Sequence, residues 1–171
     1  MLLSPAQTRQ LFTHAIENRY AILAVNADSP AALMDCLLAA EQCEAPIIIE
    51  TSLWQLTGHS FGAGCPFTGM DRYLSEIRAI ANSDRFKNVP VAYHTDHIKG
   101  PETLAILEHA MKAGASSISL DSSDLSHEEN IEHLNHLCQF ADENRLPATL
   151  EMEAGVDDGV TELEEARLRR F

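Results

Sequence analysis

The residues with the clearest potential for chemistry lie in one stretch, VPVAYHTDHIKG, at positions 89–100. His94, Asp96 and His97 end an apolar run there. A neutral imidazole is a good ligand for Zn²⁺, and a neighbouring carboxylate can orient it or transfer protons. The alternative is a pair of histidines that only hydrogen-bond neighbouring loops. Three titratable groups at the end of one buried strand favour a metal or proton-transfer role.

A second acidic motif occurs in LEMEAG, where Glu151 and Glu153 are two residues apart. That spacing puts both carboxylates on one face of a strand. Two like charges that converge at a buried position are unfavourable unless a cation or a proton lies between them. Asp121, at the end of SSISLD, supports the same interpretation more weakly. Spacing alone leaves open a strand edge where one carboxylate is solvated and the other is paired with Lys or Arg.

A rival cluster lies on the helix predicted from Ser126 onwards. Two pairs of side chains are one helical turn apart, which is a spacing that metal sites use. A solvated acidic face explains this cluster better than a metal site does. Its residues are His127, Glu129, Glu132, His133 and His136.

Apart from this helical cluster, the candidate residues share a position, because each lies at or near the end of a strand-like stretch. Helical stretches separate these strands, including one predicted from about Asp71 to Ala81. Repeats of roughly 25–30 residues of this kind predict parallel strands joined by right-handed crossovers. The predicted strands are Ala21–Asn26, Ala45–Ser52, residues 89–96, Ser116–Asp121 and Pro147–Gly155.

Two architectures fit this alternation: an open doubly wound sheet and a TIM (β/α)8-type barrel. Both position their active sites at the C-terminal ends of the strands, where Asn26 and Ser52 also lie. No G-x-G-x-x-G follows the first strand, so the barrel is favoured. A complete barrel has eight strands in about 250 residues. The sequence therefore predicts an α/β fold, an incomplete TIM-type barrel of about five β-α units, with residues 1–171 as a single domain.

Composition limits the partners and the compartment. The formal net charge of -14 argues against nucleic acid or an anionic membrane as the main partner. A small phosphorylated substrate stays compatible, since local backbone amides can hold it. The four cysteines form no CxxC pair, and the N-terminus lacks the features of a signal peptide, so we expect a cytoplasmic protein. An incomplete barrel exposes sheet edges, so we also expect a homo-oligomer.

Four stretches together resemble the class II, metal-dependent ketose-bisphosphate aldolases, the fructose- and tagatose-bisphosphate enzymes. They are YAILAVN, APIIIETS, VPVAYHTDH, and SLDSSDLSHEENIEHL running on to LEMEAGVDDGV. The resemblance implies a TIM barrel that cleaves a phosphorylated ketose reversibly to dihydroxyacetone phosphate and an aldehyde. It also implies Zn²⁺ or a similar divalent cation as the cofactor.

The same resemblance suggests a role for each candidate residue. Asp96 matches the catalytic aspartate that transfers a proton at a substrate hydroxyl, and His97 matches a metal-binding histidine. Asp121 and Glu153 match acidic metal-binding positions. Asn26 and Ser52 match positions near the phosphorylated sugar.

The sequence also departs from the family pattern. Two further metal-binding histidines and a glycine-rich phosphate loop come from later strands in the family, and none has a counterpart here. The resemblance therefore implies an aldolase site that is incomplete in this chain. The segment TSLWQLTGHSFGAGCPFTGM is closer to the accessory subunit of tagatose-bisphosphate aldolase. A non-catalytic accessory or stabilising subunit is thus the alternative.

Overall fold

The computed structural model describes residues 1–58 and 61–152, which form parallel strands alternating with helices. Along the chain the elements are α1 (Pro5–Asn18), β1 (Leu23–Asn26), α2 (Pro30–Gln42), β2 (Ile47–Thr51), α3 (Leu53–Thr57), α4 (Pro66–Ala81), β3 (Val91–Thr95), α5 (Thr103–Ala113), β4 (Ser117–Leu120), α6 (His127–Asn144) and β5 (Thr149–Met152).

The sheet follows the chain without a reversal. Its order is β1-β2-β3-β4-β5, and every neighbouring pair is parallel. A doubly wound sheet reverses its strand order at a switch point, whereas a barrel adds each strand beside the previous one. The described strands therefore have the winding of a TIM-type barrel, which confirms the predicted five strands and fold class.

Strand residues alternate between two faces of the sheet. On the outer face, Ile49, Val91 and Tyr93 are fully buried against the helices. The opposite face, which we call the inner face, carries Glu50 and His94, which are direct neighbours across β2 and β3. TIM-barrel interiors are dominated by branched apolar side chains. Polar residues at these inner-face positions therefore point to a functional role.

Three of the helices begin after a serine cap. Ser4, Ser29 and Ser126 each cap a helix, with the side-chain oxygen accepting a backbone N–H, and Pro5 and Pro30 follow two of them at the first helical position. Such caps satisfy backbone donors that have no partner within the helix.

One stretch differs from its prediction. The sequence predicted a helix from about Asp71, but α4 begins earlier, at Pro66, and the short helix α3 precedes it. Gly69 makes this stretch resemble a loop, yet it lies inside α4. A Cβ at this position would be only 2.0 Å from the carbonyl oxygen of Leu56. Close packing of two helices, and not a turn, therefore requires this glycine.

Candidate active site at the C-terminal edge of the sheet

One extra residue between His94 and Ile98, where β3 ends, brings the consecutive side chains of Asp96 and His97 to the same edge of the sheet. His94 pairs with Ser117, and Ile98 forms a bridge with Leu120. The chain advances four residues from His94 to Ile98 but only three from Ser117 to Leu120. Such an extra residue is a β-bulge, which redirects side chains and is frequent next to active sites.

His97 occupies the bulge with a left-handed backbone, at φ 46°. A non-glycine residue in this region is uncommon, although histidine tolerates it better than most residues. The backbone of Asp96, immediately before His97, is held in place because its N–H donates to the carbonyl of Thr51 at 2.8 Å. The strained position explains how adjacent residues, which would point to opposite faces of a regular strand, approach each other.

The imidazole of His97 lies between two carboxylates. Its Nε2 is 3.6 Å from Asp96 Oδ1, and its Nδ1 is 3.5 Å from Asp121 Oδ2. The structure thus brings together three of the residues that the sequence singled out. An imidazole flanked by carboxylates can bind a cation or exchange protons.

Asp121 has further donors around its second oxygen. Oδ1 accepts the backbone N–H of Ser123 at 3.1 Å and its hydroxyl at 2.6 Å, and Lys99 Nζ lies 3.7 Å away. Burial acts to raise the pKa of Asp121, but the hydrogen bonds from Ser123 and the charge of Lys99 outweigh it and leave the pKa lowered. Asp121 is therefore an ionised carboxylate at neutral pH.

Asn26, at the end of β1, belongs to the same group of side chains. Its Nδ2 donates to Asp96 Oδ2 at 2.8 Å and to Glu50 Oε1 at 3.4 Å. The predicted substrate-binding asparagine thus contacts the predicted catalytic aspartate directly. Glu50 was not among the sequence candidates, although its inner-face position in β2 was a readable signal.

Ser52 follows β2 at the same edge but has a local partner. Its hydroxyl donates to Gln55 Oε1 at 2.6 Å, and its N–H donates to the same oxygen at 2.9 Å. The side chain of Gln55 thus caps the start of α3, and Ser52 is engaged there and not with Asp96 or His97.

His94 lies below the edge on the inner face. It is 9% exposed, its Nδ1 is 2.8 Å from Ser117 Oγ, and its Nε2 is 3.6 Å from Glu151 Oε2. Burial lowers the pKa of His94 to about 4, so the ring is neutral at pH 7 and its contact with Glu151 is not an ion pair.

The donor types at this edge suit a zinc-like cation, because imidazole and carboxylate are both zinc ligands. Within residues 1–58 and 61–152, however, no group of three or more His, Cys, Asp or Glu side chains is arranged to hold a metal ion. Among the described residues, His97 and Asp121 thus fit as some, but not all, of the ligands of such a cation. Glu153, the other predicted ligand, lies outside the described residues.

The histidines of α6 make local contacts. His133 Nδ1 lies 2.8 Å from Ser122 Oγ, and His136 Nε2 lies 2.7 Å from Glu108 Oε1 on α5. Glu129 accepts the N–H and hydroxyl of Ser126 in a capping box at the start of α6. These contacts support a structural role for the cluster.

The fold and the strand-end site define a TIM-barrel-type protein with a polar group at the C-terminal edge of its sheet. Comparison with known proteins specifies the family: the model for "Fructose-bisphosphate aldolase class-II" matches residues 6–167. The chain belongs to the class II fructose-bisphosphate aldolase family, as the sequence motifs predicted.

Individual relatives agree with this assignment. The chain is 29% identical over 155 residues to a fructose-bisphosphate aldolase of Ureaplasma parvum, covering 90% of this chain and 49% of that protein. It is 28% identical over 157 residues to the Mycoplasma pneumoniae enzyme, with 89% and 49% covered. The chain therefore spans about half the length of these relatives.

Solved structures show the same fold. The crystal structure of a Campylobacter jejuni fructose-bisphosphate aldolase superposes with a TM-score of 0.78 at 24% identity, covering 99% of this chain and 54% of that one. The YdjI aldolase of Escherichia coli superposes with a TM-score of 0.63 at 26% identity, covering 92% and 53%. In both, this chain corresponds to about half of the barrel protein.

Proposed function

We propose that this chain supplies part of the active site of a metal-dependent class II ketose-bisphosphate aldolase. The reaction is the reversible cleavage of a phosphorylated ketose to dihydroxyacetone phosphate and an aldehyde. The observation that carries the proposal is the group formed by Asp96, His97 and Asp121, with His97 within 3.6 Å of both carboxylates. Family membership supports the same reaction class.

In this proposal Asp96 is the catalytic residue. Its carboxylate accepts and returns a proton at the substrate hydroxyl, and Asn26 and Ser52 bind the phosphorylated sugar nearby. The inner-face hydrogen bond from Asn26 supports this role, because it restricts the orientation of Asp96. General acid–base catalysis by a positioned side chain contributes about 10²–10⁴-fold to a rate.

Zn²⁺ or a similar divalent cation is the proposed cofactor, with His97, Asp121 and Glu153 as ligands from this chain. A bound cation would polarise the ketone of the substrate as a Lewis acid. The position of the His97 imidazole supports this assignment, because its Nε2 lies at the C-terminal edge of the sheet beside the carboxylate of Asp96. Catalytic zinc sites usually have three protein ligands and one open position.

The test combines activity with metal content. The 171-residue chain is expected to be inactive alone, because it spans about half the length of its relatives. Combined with the later strands of a class II aldolase barrel, it is expected to release triose phosphate from fructose or tagatose 1,6-bisphosphate, and to lose this activity with a chelator. Asp96→Asn should lower kcat by about 100-fold or more. His97→Ala should lower the bound zinc measured by mass spectrometry, whereas His14→Ala, on α1, should not. A completed, zinc-loaded barrel that cleaves neither sugar would contradict the proposal.

A non-catalytic accessory subunit is the second candidate. One observation favours it: the donors in the described part of the chain do not form a three-ligand group. This candidate predicts no cleavage by the protein alone, and co-purification with a catalytic aldolase whose melting temperature it raises. Activity of the purified protein, removed by Asp96→Asn, would exclude it.

The remaining assignments are also proposals. We propose that residues 1–171 belong to a single barrel domain, that the protein forms a homo-oligomer, and that it acts in the cytoplasm. Free thiols at all four cysteines support the last of these. No helix in the described ranges is both long and apolar enough to span a bilayer.

A further inference from the structure

The carboxamide of Asn26 lies between two carboxylates from different strands. Its Nδ2 is 2.8 Å from Asp96 Oδ2 and 3.4 Å from Glu50 Oε1. An amide nitrogen carries two hydrogens, so one can be donated to each carboxylate. Asn26 thus links Glu50 to Asp96, although neither sequence spacing nor a direct contact joins them.

Strand register holds these three side chains in order. Asn26 is the direct neighbour of Glu50 across β1 and β2, and Glu50 is the direct neighbour of His94 across β2 and β3. Asp96 follows His94 by two residues, on the same inner face, and its N–H is fixed to Thr51. Glu50 therefore lies two residues deeper than Asp96 relative to the C-terminal edge of the sheet, and it reaches the Asp96 carboxylate through Asn26.

Burial and the neighbouring charges together set the pKa of Glu50. Burial raises the pKa of Glu50, the carboxylates of Asp96 and Glu151 raise it further, and the imidazole of His97 opposes them. Glu50 consequently binds a proton more readily than an exposed glutamate, which reduces repulsion between the two carboxylates that share Asn26. In either protonation state it keeps an oxygen that can accept from Asn26.

We propose that Glu50 is a positioning residue, which acts through the side chain of Asn26 to hold the carboxylate of Asp96 in one orientation. The meaning of that orientation for catalysis rests on the proposed aldolase function. The hydrogen-bond chain itself does not, so the two can be tested apart.

The first test measures orientation without substrate. In the purified protein, three-bond NMR couplings report the χ1 rotamer of Asp96, and the side-chain amide signals report Asn26. Glu50→Val, which suits a strand but cannot accept a hydrogen bond, should shift the Asn26 amide signals and average the Asp96 rotamer. Glu50→Gln retains an acceptor oxygen and should restore both. Glu50→Ala provides the same comparison if the valine variant is insoluble.

The controls decide the outcome. Glu17→Val, on the exposed face of α1, should change neither signal. If Glu50→Val leaves Asp96 in one rotamer, with Asn26 shifts no larger than those of Glu17→Val, the proposal is overturned. A wild-type chain that shows the predicted coupling, but cleaves no ketose bisphosphate even when the later strands of the barrel are supplied, would contradict the aldolase function and leave the positioning role standing.

The second test uses kinetics in an active preparation. Glu50→Val should lower kcat by about tenfold, as loss of an outer hydrogen-bonding partner does, with little change in KM. Glu50→Gln should recover most of that loss. The double variant Asn26→Ala with Glu50→Val should be no slower than Asn26→Ala alone, because both changes break one chain. Additive losses would refute the link through Asn26.

Discussion

His94 shows how one buried side chain makes stability depend on pH. The ring is enclosed on the inner face and bonded to Ser117, and burial lowers its pKa from 6.5 to about 4. The unfolded chain therefore binds a proton before the folded chain does as the pH falls. Stability from this residue is complete above pH 6.5 and is lost through the folded pKa near 4.

We expect His94→Gln to remove this dependence. The free energy of unfolding of the wild type should fall by up to about 3 kcal/mol more than that of the variant between pH 7 and pH 4. Glutamine can still hydrogen-bond Ser117, which limits other losses. Urea denaturation at several pH values measures the difference, and parallel curves for the two proteins would refute the prediction.

Glu50 should act in the opposite sense, because burial followed by the charges of Asp96 and Glu151 raises its pKa above 4.5. Between 4.5 and the raised pKa, Glu50 holds a proton more often in the folded chain than in the unfolded chain, so the free energy of unfolding falls as the pH rises. Glu50→Gln should therefore be more stable than wild type at pH 8 and equal to it below pH 4.5. Thermal melts across this range measure the effect, with Glu17→Gln as a control that shows no such trend.

At the scale of elements, two local irregularities build the site and its support. The extra residue in β3 brings Asp96 and His97 to the same edge. Behind β2, α3 and α4 cross so closely that a Cβ at Gly69 would lie 2.0 Å from the carbonyl oxygen of Leu56. Both features are required by contacts between elements and not by local propensity.

Gly69→Ala tests the helix crossing. Alanine normally stabilises a helix interior by about 1 kcal/mol relative to glycine. Here the added methyl group would meet backbone, so we expect a destabilisation of about 1–3 kcal/mol. Gly58→Ala is the matched control, because no heavy atom lies within 4 Å of its Cβ. Chemical denaturation measures both, and a stabilised Gly69→Ala variant would contradict the crossing geometry.

At the scale of the molecule, the five described strands form a sheet with two edges. Among the described strands, β1 pairs only with β2 and β5 only with β4. Leu23, in β1, is 67% exposed, and Ile16, in the preceding helix α1, is 78% exposed. Unpaired strand edges with exposed apolar side chains promote association.

We therefore expect the 171-residue chain to self-associate through this edge. Leu23→Glu combined with Ile16→Glu should shift the chain towards monomer in sedimentation experiments, because two charges would have to be buried at the interface. Leu125→Glu, at another exposed apolar position, should leave the equilibrium unchanged. A wild-type chain that is monomeric at all concentrations would contradict this expectation.

Much of the architecture was predictable from local patterns. Five apolar strands, serine caps and a glycine stop at Gly114 each leave a signal within a few residues. The β5 prediction, Pro147–Gly155, holds at Thr149–Met152. Pro147 and Ala148 precede the strand, and residues 153–155 lie outside the described residues. The start of α4 was missed because Gly69 serves a contact with Leu56, which lies on another helix.

By itself, the sequence determined the alternation of strands and helices and the strand ends at which polar residues would gather, because hydrophobic periodicity is a local property. It favoured a barrel over a doubly wound sheet, and its motifs resembled the aldolase family, but the strand order was established by the structure. Only the tertiary structure decided which of these residues meet. The bulge at His97, the link from Asn26 to Asp96 across 70 positions and the engagement of Ser52 with Gln55 depend on register and packing between elements. Those relations form only when the strands pair, so no short stretch of residues contains them.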